Sequence, residues 1–309
     1  MSPTAIYSTS QTTHANTVTK PLQQTPHQHQ DVSKLADKPL DRIWSGDAAG
    51  QIKFPGIPQF EDKLEQREWV KEHLAGAFRF WGKNGFSEGL AGHISVRDPI
   101  LRDHIWMNPL GVHFNGITKS SLVLVSPEGN ITEHGAQLAI NRAGFLIHHS
   151  VHEARHDIES VAHCHSIHAK AWTAFGTSID MLSQDSCMFY NNVAVYENFG
   201  GIVLAAEEGR NIAEALGPRR KTCLLQNHGS LTLGSTVDEA AYYLSALENQ
   251  CRCQLLVESA GVSGLKKNII DNEDAAFTAA TLQDPDVLYV SMKTEYDQLV
   301  KETNGDFLV

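Results

Sequence analysis

One short stretch constrains the fold of this chain more than any other, because it places three histidines within six positions directly after apolar residues. It covers residues 160–176 and begins Ser-Val-Ala-His-Cys-His. Val161 and Ala162 indicate the start of a buried β-strand. Side chains alternate between the two faces of a strand, so His163 and His165 point the same way, with Cα atoms roughly 6.6 Å apart. The two imidazoles are therefore placed to converge on one metal ion.

A third ligand must come from elsewhere, since a catalytic metal site with nitrogen ligands at about 2.0–2.1 Å usually has three protein ligands. His228, which follows the apolar run at residues 224–225, is the best candidate. Gly229 permits a backbone turn that would aim His228 off the strand end. The alternative is a chance pattern, because a chain with 16 histidines has many ways to form a His-x-His pair. The combination of the pair with His228 favours the metal site.

Several segments resemble the class II aldolase and adducin head-domain family, in family order over roughly residues 60 to 265. The segments that carry the resemblance lie at residues 92–95 (Gly-His-Ile-Ser), 108–111 (Asn-Pro-Leu-Gly), 155–166, 225–229, 233–234 and 237–240. The resemblance implies an α/β fold, a three-layer α/β/α sandwich with a mostly antiparallel central sheet. It also implies a homotetramer with active sites near the subunit contacts.

The resemblance further implies that His163, His165 and His228 hold one divalent metal ion per chain, with zinc expected first and iron, manganese, cobalt or nickel as alternatives. Aldolases of the family carry Pro-Ser-Ser-Glu four residues before a helical histidine, and the aligned run at residues 141–144 is Asn-Arg-Ala-Gly. The catalytic glutamate and the phosphate-binding serines are therefore missing. Residues 143–145 read Ala-Gly-Phe, as in adducin heads. We expect a substrate without phosphate.

Composition narrows the partners and the compartment. The formal net charge of −11 argues against binding to a nucleic-acid backbone, which needs clustered lysine and arginine. The apolar runs are far shorter than the roughly 20 residues of a membrane span, and no secretory signal is visible at the N-terminus. Five cysteines without framework spacing fit reduced thiols. These features predict a cytoplasmic protein that binds neither nucleic acid nor a membrane. The resemblance to the family implies a small-molecule substrate.

The chain divides into three parts. Residues 1–58 are predicted to be a disordered tail, rich in Thr, Ser, Gln, Pro and His, that continues as an extended arm. Residues 59–265 are predicted to be the family domain, and residues 266–309 a helical extension that covers it. Apolar periodicity predicts helices over 61–83, 136–155 and 207–217 and a long helix after Thr236, with short strands that include 112–114.

Further residues are candidates for the site. His148 lies four residues after Gly144, on the same face of the predicted helix, so we expect both to line the pocket. A glycine there costs about 1 kcal/mol relative to alanine, which suggests close packing or space kept for a ligand. A hydrogen-bonded buried histidine is the alternative for His148. The substrate-binding candidates are His93, Asn108, Gly144 and His168, the last either behind the metal ligands or at the surface.

The candidate catalytic groups, besides His148, are Asp185, Tyr190 and Tyr196. A carboxylate can orient or exchange protons, and a phenol can act as an acid close to a developing negative charge. Each has a structural alternative as a hydrogen-bonded residue at a subunit interface.

Three functions remain open. The preferred one is a metal-dependent lyase, an aldolase or decarboxylase, that acts through an enolate on a hydroxy-carbonyl or an aromatic or polyketide-like compound. The second is a non-heme iron oxygenase with the same three histidines, although such sites normally include a carboxylate ligand. The third is a non-catalytic, adducin-like interaction module.

Overall fold

The computed structural model describes residues 36–201 and 206–309. Most of the predicted disordered tail lies outside the described residues. The arm within residues 36–58 runs beside the C-terminal helices: Arg42 donates to the Thr281 hydroxyl at 3.2 Å, and the backbone N–H of Ile57 donates to Asp286 at 2.7 Å. The predicted division at residues 58 and 265 stays a prediction.

A seven-stranded sheet forms the centre of the fold. Its strands are β1 (His93–Arg97), β2 (Ile105–Met107), β3 (Val123–Val125), β4 (Ser160–Cys164), β5 (Val193–Tyr196), β6 (Thr222–Leu225) and β7 (Gly229–Gly234). The strand order is β3-β2-β1-β4-β7-β6-β5. Every neighbouring pair is antiparallel except β5 and β6, which run parallel. The expected mostly antiparallel sheet is confirmed.

Seven α-helices accompany the sheet in the described residues. They are α1 (Lys63–Lys83), α2 (Arg142–Ala154), α3 (Ile167–Thr173), α4 (Ala206–Leu216), α5 (Val237–Gly261), α6 (Asn272–Leu282) and α7 (Pro285–Thr303). Side chains that accept from free backbone N–H groups set several helix starts. Asp62 accepts from the N–H of Leu64 to begin α1, and Thr236 accepts from the N–H of Glu239 to begin α5.

The helices lie on both faces of the sheet, and the alternation of side chains along β4 shows how. Val161 packs in the apolar cluster that contains residues of α2 and α4. Ala162 and Cys164 pack in the cluster that contains residues of α1 and α5. Because every strand residue turns to the opposite face from its neighbour, His163 lies on the α2 face. This is the expected three-layer α/β/α sandwich.

The structure differs from the expectations at three places. Helix α2 begins at Arg142 and not near residue 136, because Asn141 caps it by accepting from the N–H of Gly144 at 3.1 Å. The predicted strand at 112–114 is wrong: a 3-10 turn occupies Phe114–Gly116, where the His113 ring accepts from the N–H of Asn115. Helix α6 had no clear signal in the sequence.

Apolar residues near the C-terminus pack against the helices that cover one face of the sheet. Met292, Leu299 and Phe307 are buried in the same apolar cluster as Leu74 and Phe78 of α1. Two backbone hydrogen bonds fix the terminus, since the N–H groups of residues 119 and 120 donate to the carbonyl oxygens of residues 307 and 309 at 2.8 and 2.9 Å. The end of the chain is therefore held by the packing of Phe307 and by backbone hydrogen bonds to residues 307 and 309.

We expect Phe307→Ala to lower the free energy of unfolding by about 3–5 kcal/mol, because it removes a fully buried ring and leaves a cavity. Urea denaturation measures the change. Val309→Ala is the matched control from the same terminus, and it should have little effect because Val309 is 70% exposed. Equal losses for the two variants would contradict the packing described here.

Candidate metal centre

Three histidines meet at the end of the central strands. His163 lies on β4, His165 follows that strand directly, and His228 lies in the turn between β6 and β7. One ligand atom of each histidine lies within 4.8 Å of those of the other two. The ring centroids are 4.7 to 5.1 Å apart. The sequence prediction that these three side chains converge agrees with this geometry.

The backbone around His228 explains how the turn delivers its ring. Asn227 adopts φ 57°, the left-handed conformation that asparagine tolerates better than most residues. Gly229 has a different function from the one predicted. A Cβ at this position would lie 2.5 Å from the carbonyl oxygen of Cys164, so glycine lets β7 approach β4 closely. The conformational freedom for the turn comes from Asn227.

A hydrogen bond orients His163. Its Nδ1 lies 2.9 Å from the backbone carbonyl oxygen of Ser230. A carbonyl oxygen only accepts, so Nδ1 carries the proton and donates, and Nε2 keeps its lone pair. This arrangement, a ring nitrogen held by a backbone carbonyl, is the usual support of a metal-binding histidine.

Burial keeps the three rings neutral. Desolvation lowers the pKa of His163 well below its ordinary value. Desolvation, followed by the neighbouring His165, lowers the pKa of His228 to about 4. The pKa of His165 is also lowered by desolvation, an effect that the carboxylate of Glu88 opposes. Because a metal ion binds only the neutral imidazole, the rings need lose no proton near pH 7.

The cluster opens into a pocket of about 520 Å³. Apolar side chains from loops and from helix α2 form much of its wall: Leu90, Ala91, Ala143, Ile147 and Phe199. Among the described residues, Lys170 is the one lysine or arginine that lines it, and Glu88 is the one carboxylate. These two side chains form an ion pair, with Nζ of Lys170 2.7 Å from both carboxylate oxygens.

His93 and Gly144 line the pocket as predicted. The His93 ring can take its position only because Gly144 has no side chain. The His93 ring is buried and lies 6.3 Å from the His163 ring, nearly parallel to it. Neither ring nitrogen of His93 has a hydrogen-bond partner among the described residues. A Cβ at residue 144 would lie 2.6 to 2.8 Å from three atoms of this ring. Glycine in α2 therefore creates the space that His93 fills.

His148 lies behind His93 and does not line the pocket. The two rings are perpendicular, with centroids 5.9 Å apart. Nδ1 of His148 contacts the Ser95 hydroxyl at 2.7 Å, and the same hydroxyl contacts Nε2 of His152 at 2.9 Å. His148 is therefore the hydrogen-bonded buried histidine that was the alternative to a pocket-lining residue.

The structure places two substrate-binding candidates outside the pocket. His168 is held by Glu248 of α5, with Nδ1 2.7 Å from the carboxylate. Asn108 follows β2 and lines an adjoining small cleft, where its amide donates to the carbonyl of Gly92 at 3.5 Å. The ring of His168 is thus held by another element, whereas the side-chain oxygen of Asn108 is buried and has no hydrogen-bond partner among the described residues.

The predicted catalytic carboxylate and phenols also lie away from the pocket within one chain. Asp185 is exposed at the start of a 3-10 turn over Asp185–Phe189. Tyr190 lines another cavity, beside Arg220. Tyr196 is buried in the cluster under α4, where burial and then Glu208 raise its pKa. The expectation that the three groups lie near the metal ligands is therefore corrected for a single chain, because none of them lines the pocket and the side chain of Tyr196 packs under α4.

Two pocket residues were missed in the sequence. Glu88 lies five positions before His93, and Lys170 lies five positions after His165. Each therefore lies close in the sequence to a predicted site histidine. This proximity was the sequence signal that could have identified the two residues as part of the pocket. Their pairing was not visible, because it joins the loop before β1 to helix α3 across 82 residues.

Comparisons with known proteins agree with this fold and site. The sequence profile of the "Class II Aldolase and Adducin N-terminal domain" matches residues 72–255. The chain therefore belongs to the class II aldolase and adducin N-terminal domain family.

Among curated relatives, the chain is 42% identical to "Meiotically up-regulated gene 14 protein" of Schizosaccharomyces pombe, over 77% of this chain and 95% of the relative. It is 40% identical to "Decarboxylase NovR" of Streptomyces niveus, over 69% and 78%. It is 39% identical to "4-hydroxy-3-prenylphenylpyruvate oxygenase/4-hydroxy-3-prenylbenzoate synthase" of Streptomyces roseochromogenus, over 69% and 76%. These names cover both lyase and oxygenase chemistry.

Among solved structures, the fold is similar to "L-fuculose 1-phosphate aldolase from Glaciozyma antarctica PI12", with a TM-score of 0.74 and 35% identity over 81% of this chain and 96% of that one. In the described residues, no helix is both long enough and apolar enough to cross a membrane.

We expect Gly144→Ala to lower the free energy of unfolding by about 1–3 kcal/mol, because the new methyl group overlaps the His93 ring. In a His93→Ala background the same substitution should cost little, which a double-mutant cycle by urea denaturation tests. Gly261→Ala is the matched control in α5, where nothing lies within 4 Å of the added Cβ. Equal costs in the two backgrounds would show that the ring does not fill this space.

The buried imidazoles should make the metal-free protein sensitive to acid. The pKa values of His93 and His228 are about 4 in the folded chain, compared with an ordinary value of 6.5. Between these values the unfolded chain binds more protons, so stability is fully present above pH 6.5 and falls as the pH is lowered.

Urea denaturation of the metal-free protein at pH 7.5, 6.5, 5.8 and 5.0 measures this effect. The window stays above pH 5 so that the change reports histidines and not carboxylates. A further measurement at pH 8.5 is the control, and we expect little change between pH 7.5 and 8.5. A constant free energy of unfolding from pH 7.5 to 5.0 would contradict the burial of these rings.

Proposed function

We propose that the protein is a divalent-metal-dependent lyase of the aldolase or decarboxylase type, with His163, His165 and His228 as metal ligands. The observation that carries the proposal is their convergence: three neutral imidazoles, one ligand atom of each within 4.8 Å of the others, open into a pocket. Three protein nitrogens leave coordination positions for substrate, as in catalytic metal sites. Zinc is the expected ion, with iron, manganese, cobalt or nickel as alternatives.

The substrate is proposed to be an unphosphorylated hydroxy-carbonyl or 2-oxo acid with an aromatic or other apolar body. The pocket wall is largely apolar, and a phosphate group would need more cationic or N–H donors than the single lysine among its described lining residues. The name of a Streptomyces roseochromogenus relative specifies a prenylated phenylpyruvate, which is an aromatic 2-oxo acid. Its similarity to this chain supports a substrate of that class.

The chain's own residues have separate functions in this proposal. A divalent ion held by the three histidines would supply Lewis-acid stabilisation of an enolate, which retro-aldol cleavage produces, as does decarboxylation of an acid whose carbonyl group is β to the carboxylate. His93 binds a substrate oxygen through a ring nitrogen, because it is the buried polar group of the pocket without a hydrogen-bond partner in the described chain. The apolar side chains of Leu90, Ile147 and Phe199 exclude water around the reacting carbon atoms.

An oxygenase is the second candidate, and a relative's name favours it specifically, because that protein is called an oxygenase as well as a synthase. The same three histidines would then hold iron. Against it, iron sites of this kind normally include a carboxylate ligand, whereas the described cluster consists of histidines only. The adducin-like module without catalysis is less favoured, because the whole histidine cluster is retained.

We also propose a cytoplasmic homotetramer with active sites near subunit contacts. Leu90 and Phe199 support this arrangement, since both line the pocket while about 61% exposed in the single chain. A neighbouring subunit that covers them would bury apolar surface and close the pocket. Asp185, Tyr190 and Tyr196 retain a proposed catalytic role only if the assembly brings them to a neighbour's pocket.

Metal content of the purified full-length protein tests the function directly. We expect about one divalent ion per chain by inductively coupled plasma mass spectrometry, and loss of that ion in the His163→Ala, His165→Ala double variant and in His228→Ala. Zinc, manganese, cobalt or nickel would favour the lyase, and iron the oxygenase.

The matched control is the His27→Ala, His29→Ala double variant, which removes the histidine pair of the N-terminal segment and should leave the metal content unchanged. Absence of metal from the wild type, even after incubation with each ion, would exclude both enzyme proposals. The adducin-like module would then be the function to pursue.

A further inference from the structure

We propose that Lys170 binds the carboxylate of the substrate and that Glu88 occupies Lys170 until the substrate displaces it. The proposal rests on the proposed function and assigns the group that selects acids as substrates. In this proposal the ion pair at the pocket determines which substrates bind, in addition to linking two parts of the chain.

The ion pair has the geometry of a carboxylate site that is already filled. Nζ of Lys170 lies 2.7 Å from both oxygens of Glu88, which is the distance expected for charge-assisted hydrogen bonds. A substrate carboxylate would present the same two oxygens to the same ammonium. The exchange replaces one carboxylate by another, so it leaves no charge unpaired on the lysine.

The exchange costs little, because the pair is solvent-accessible. The side chains of Lys170 and Glu88 are 36% and 53% exposed, and ion pairs at such positions contribute little net stability. Released Glu88 can be solvated by water. A buried pair would resist separation, because either charge alone would lose its solvation.

The ion pair also lies in the right part of the pocket. Glu88 and Lys170 line the same pocket as His165 and the other two histidines. Lys170 is held by a short helix that begins two residues after His165. A substrate oxygen at the three histidines and a carboxylate at Lys170 would therefore belong to one small molecule.

Glu248 fixes the position of that helix. Its carboxylate accepts from the backbone N–H groups of His168 and Ala169 at 3.0 and 2.7 Å and contacts the ring of His168. The start of α3 is thereby anchored to α5. His168 acts as a positioning residue in this arrangement, because it helps to hold Lys170 at a set distance from His165.

The chemistry of the pocket favours a carboxylate over other anions. Lys170 is the single lysine or arginine among its described lining residues, so the pocket matches one negative charge. A phosphate dianion generally requires several donors from cationic side chains or backbone N–H groups. The apolar wall then contacts the rest of the molecule, which points to an organic acid with an aromatic or aliphatic body.

Binding of a defined probe to the full-length protein tests the proposal. Phenylpyruvate carries the carboxylate, and phenylacetone is the matched ketone without it. Calorimetric titration at pH 7.5 compares the wild type with Lys170→Met, Glu88→Gln and the control Lys267→Met. Lys267 also pairs with carboxylates, those of Asp180 and Glu258, and its side chain is 34% exposed.

We expect Lys170→Met to weaken the binding of phenylpyruvate roughly tenfold to a hundredfold, as for loss of a charged hydrogen-bond partner. Glu88→Gln should strengthen it, roughly two- to fivefold, because the competing carboxylate is gone. Lys267→Met should change nothing. Binding of phenylacetone should be unaffected by Lys170→Met.

The opposite signs for the two members of the pair distinguish the proposal from a structural ion pair. Equal weakening by Lys170→Met and Glu88→Gln, or equal losses for the acid and the ketone, would overturn it. So would the absence of phenylpyruvate binding to wild type with full metal content.

Metal content measured on the same samples separates this outcome from failure of the proposed function. Without bound metal in the wild type, binding of phenylpyruvate that still depends on Lys170 would support the carboxylate site and reject the metal enzyme.

Discussion

The antiparallel pairing of β4 with β1 on one side and β7 on the other is the constraint on which the site depends. His93 is the register partner of His163, and directly paired residues of adjacent strands face the same side of a sheet. Cys164 pairs with Ser230, so the turn that precedes β7 carries His228 to the end of β4. A register shift of one residue would move His163 to the opposite face and disperse the cluster.

The close approach of these strands and of α2 requires glycine at two positions. A Cβ at residue 229 would collide with the backbone of β4, and a Cβ at residue 144 with the ring of His93. Glycine within a helix lowers helix stability, and a buried imidazole without hydrogen-bond partners is also unfavourable. Both destabilising features belong to Gly144 and His93, which are neighbours in the pocket. Binding sites are where sequences depart from the most stable choice for the sake of function.

The sequence predicted the parts of the site that depend on local pattern. The His-x-His spacing and the apolar runs before the histidines were enough to predict that the three rings converge, although the turn freedom assigned to Gly229 comes from Asn227. A capping box located the start of α5, whereas the start of α1 came from apolar spacing alone. The mostly antiparallel sheet came from the resemblance to the family, since strands as short as β2 carry little periodicity. Asp185, Tyr190 and Tyr196 do not line the pocket within one chain, because the sequence pattern does not show which way a loop or a strand end turns its side chains. Tyr196 lies on the outermost strand, three places from β4.

Acid sensitivity and metal affinity are coupled in this site, but only in part. Protons compete with a metal ion at His165 and His228, so a bound ion would stabilise the folded state by mass action and shift acid unfolding to lower pH. His148 and His152 are different, because they are buried behind the pocket and bonded to Ser95. Burial lowers the pKa of both rings well below its ordinary value. Since a metal ion at the cluster does not ligate them, their contribution to acid unfolding remains even in the metal-loaded protein.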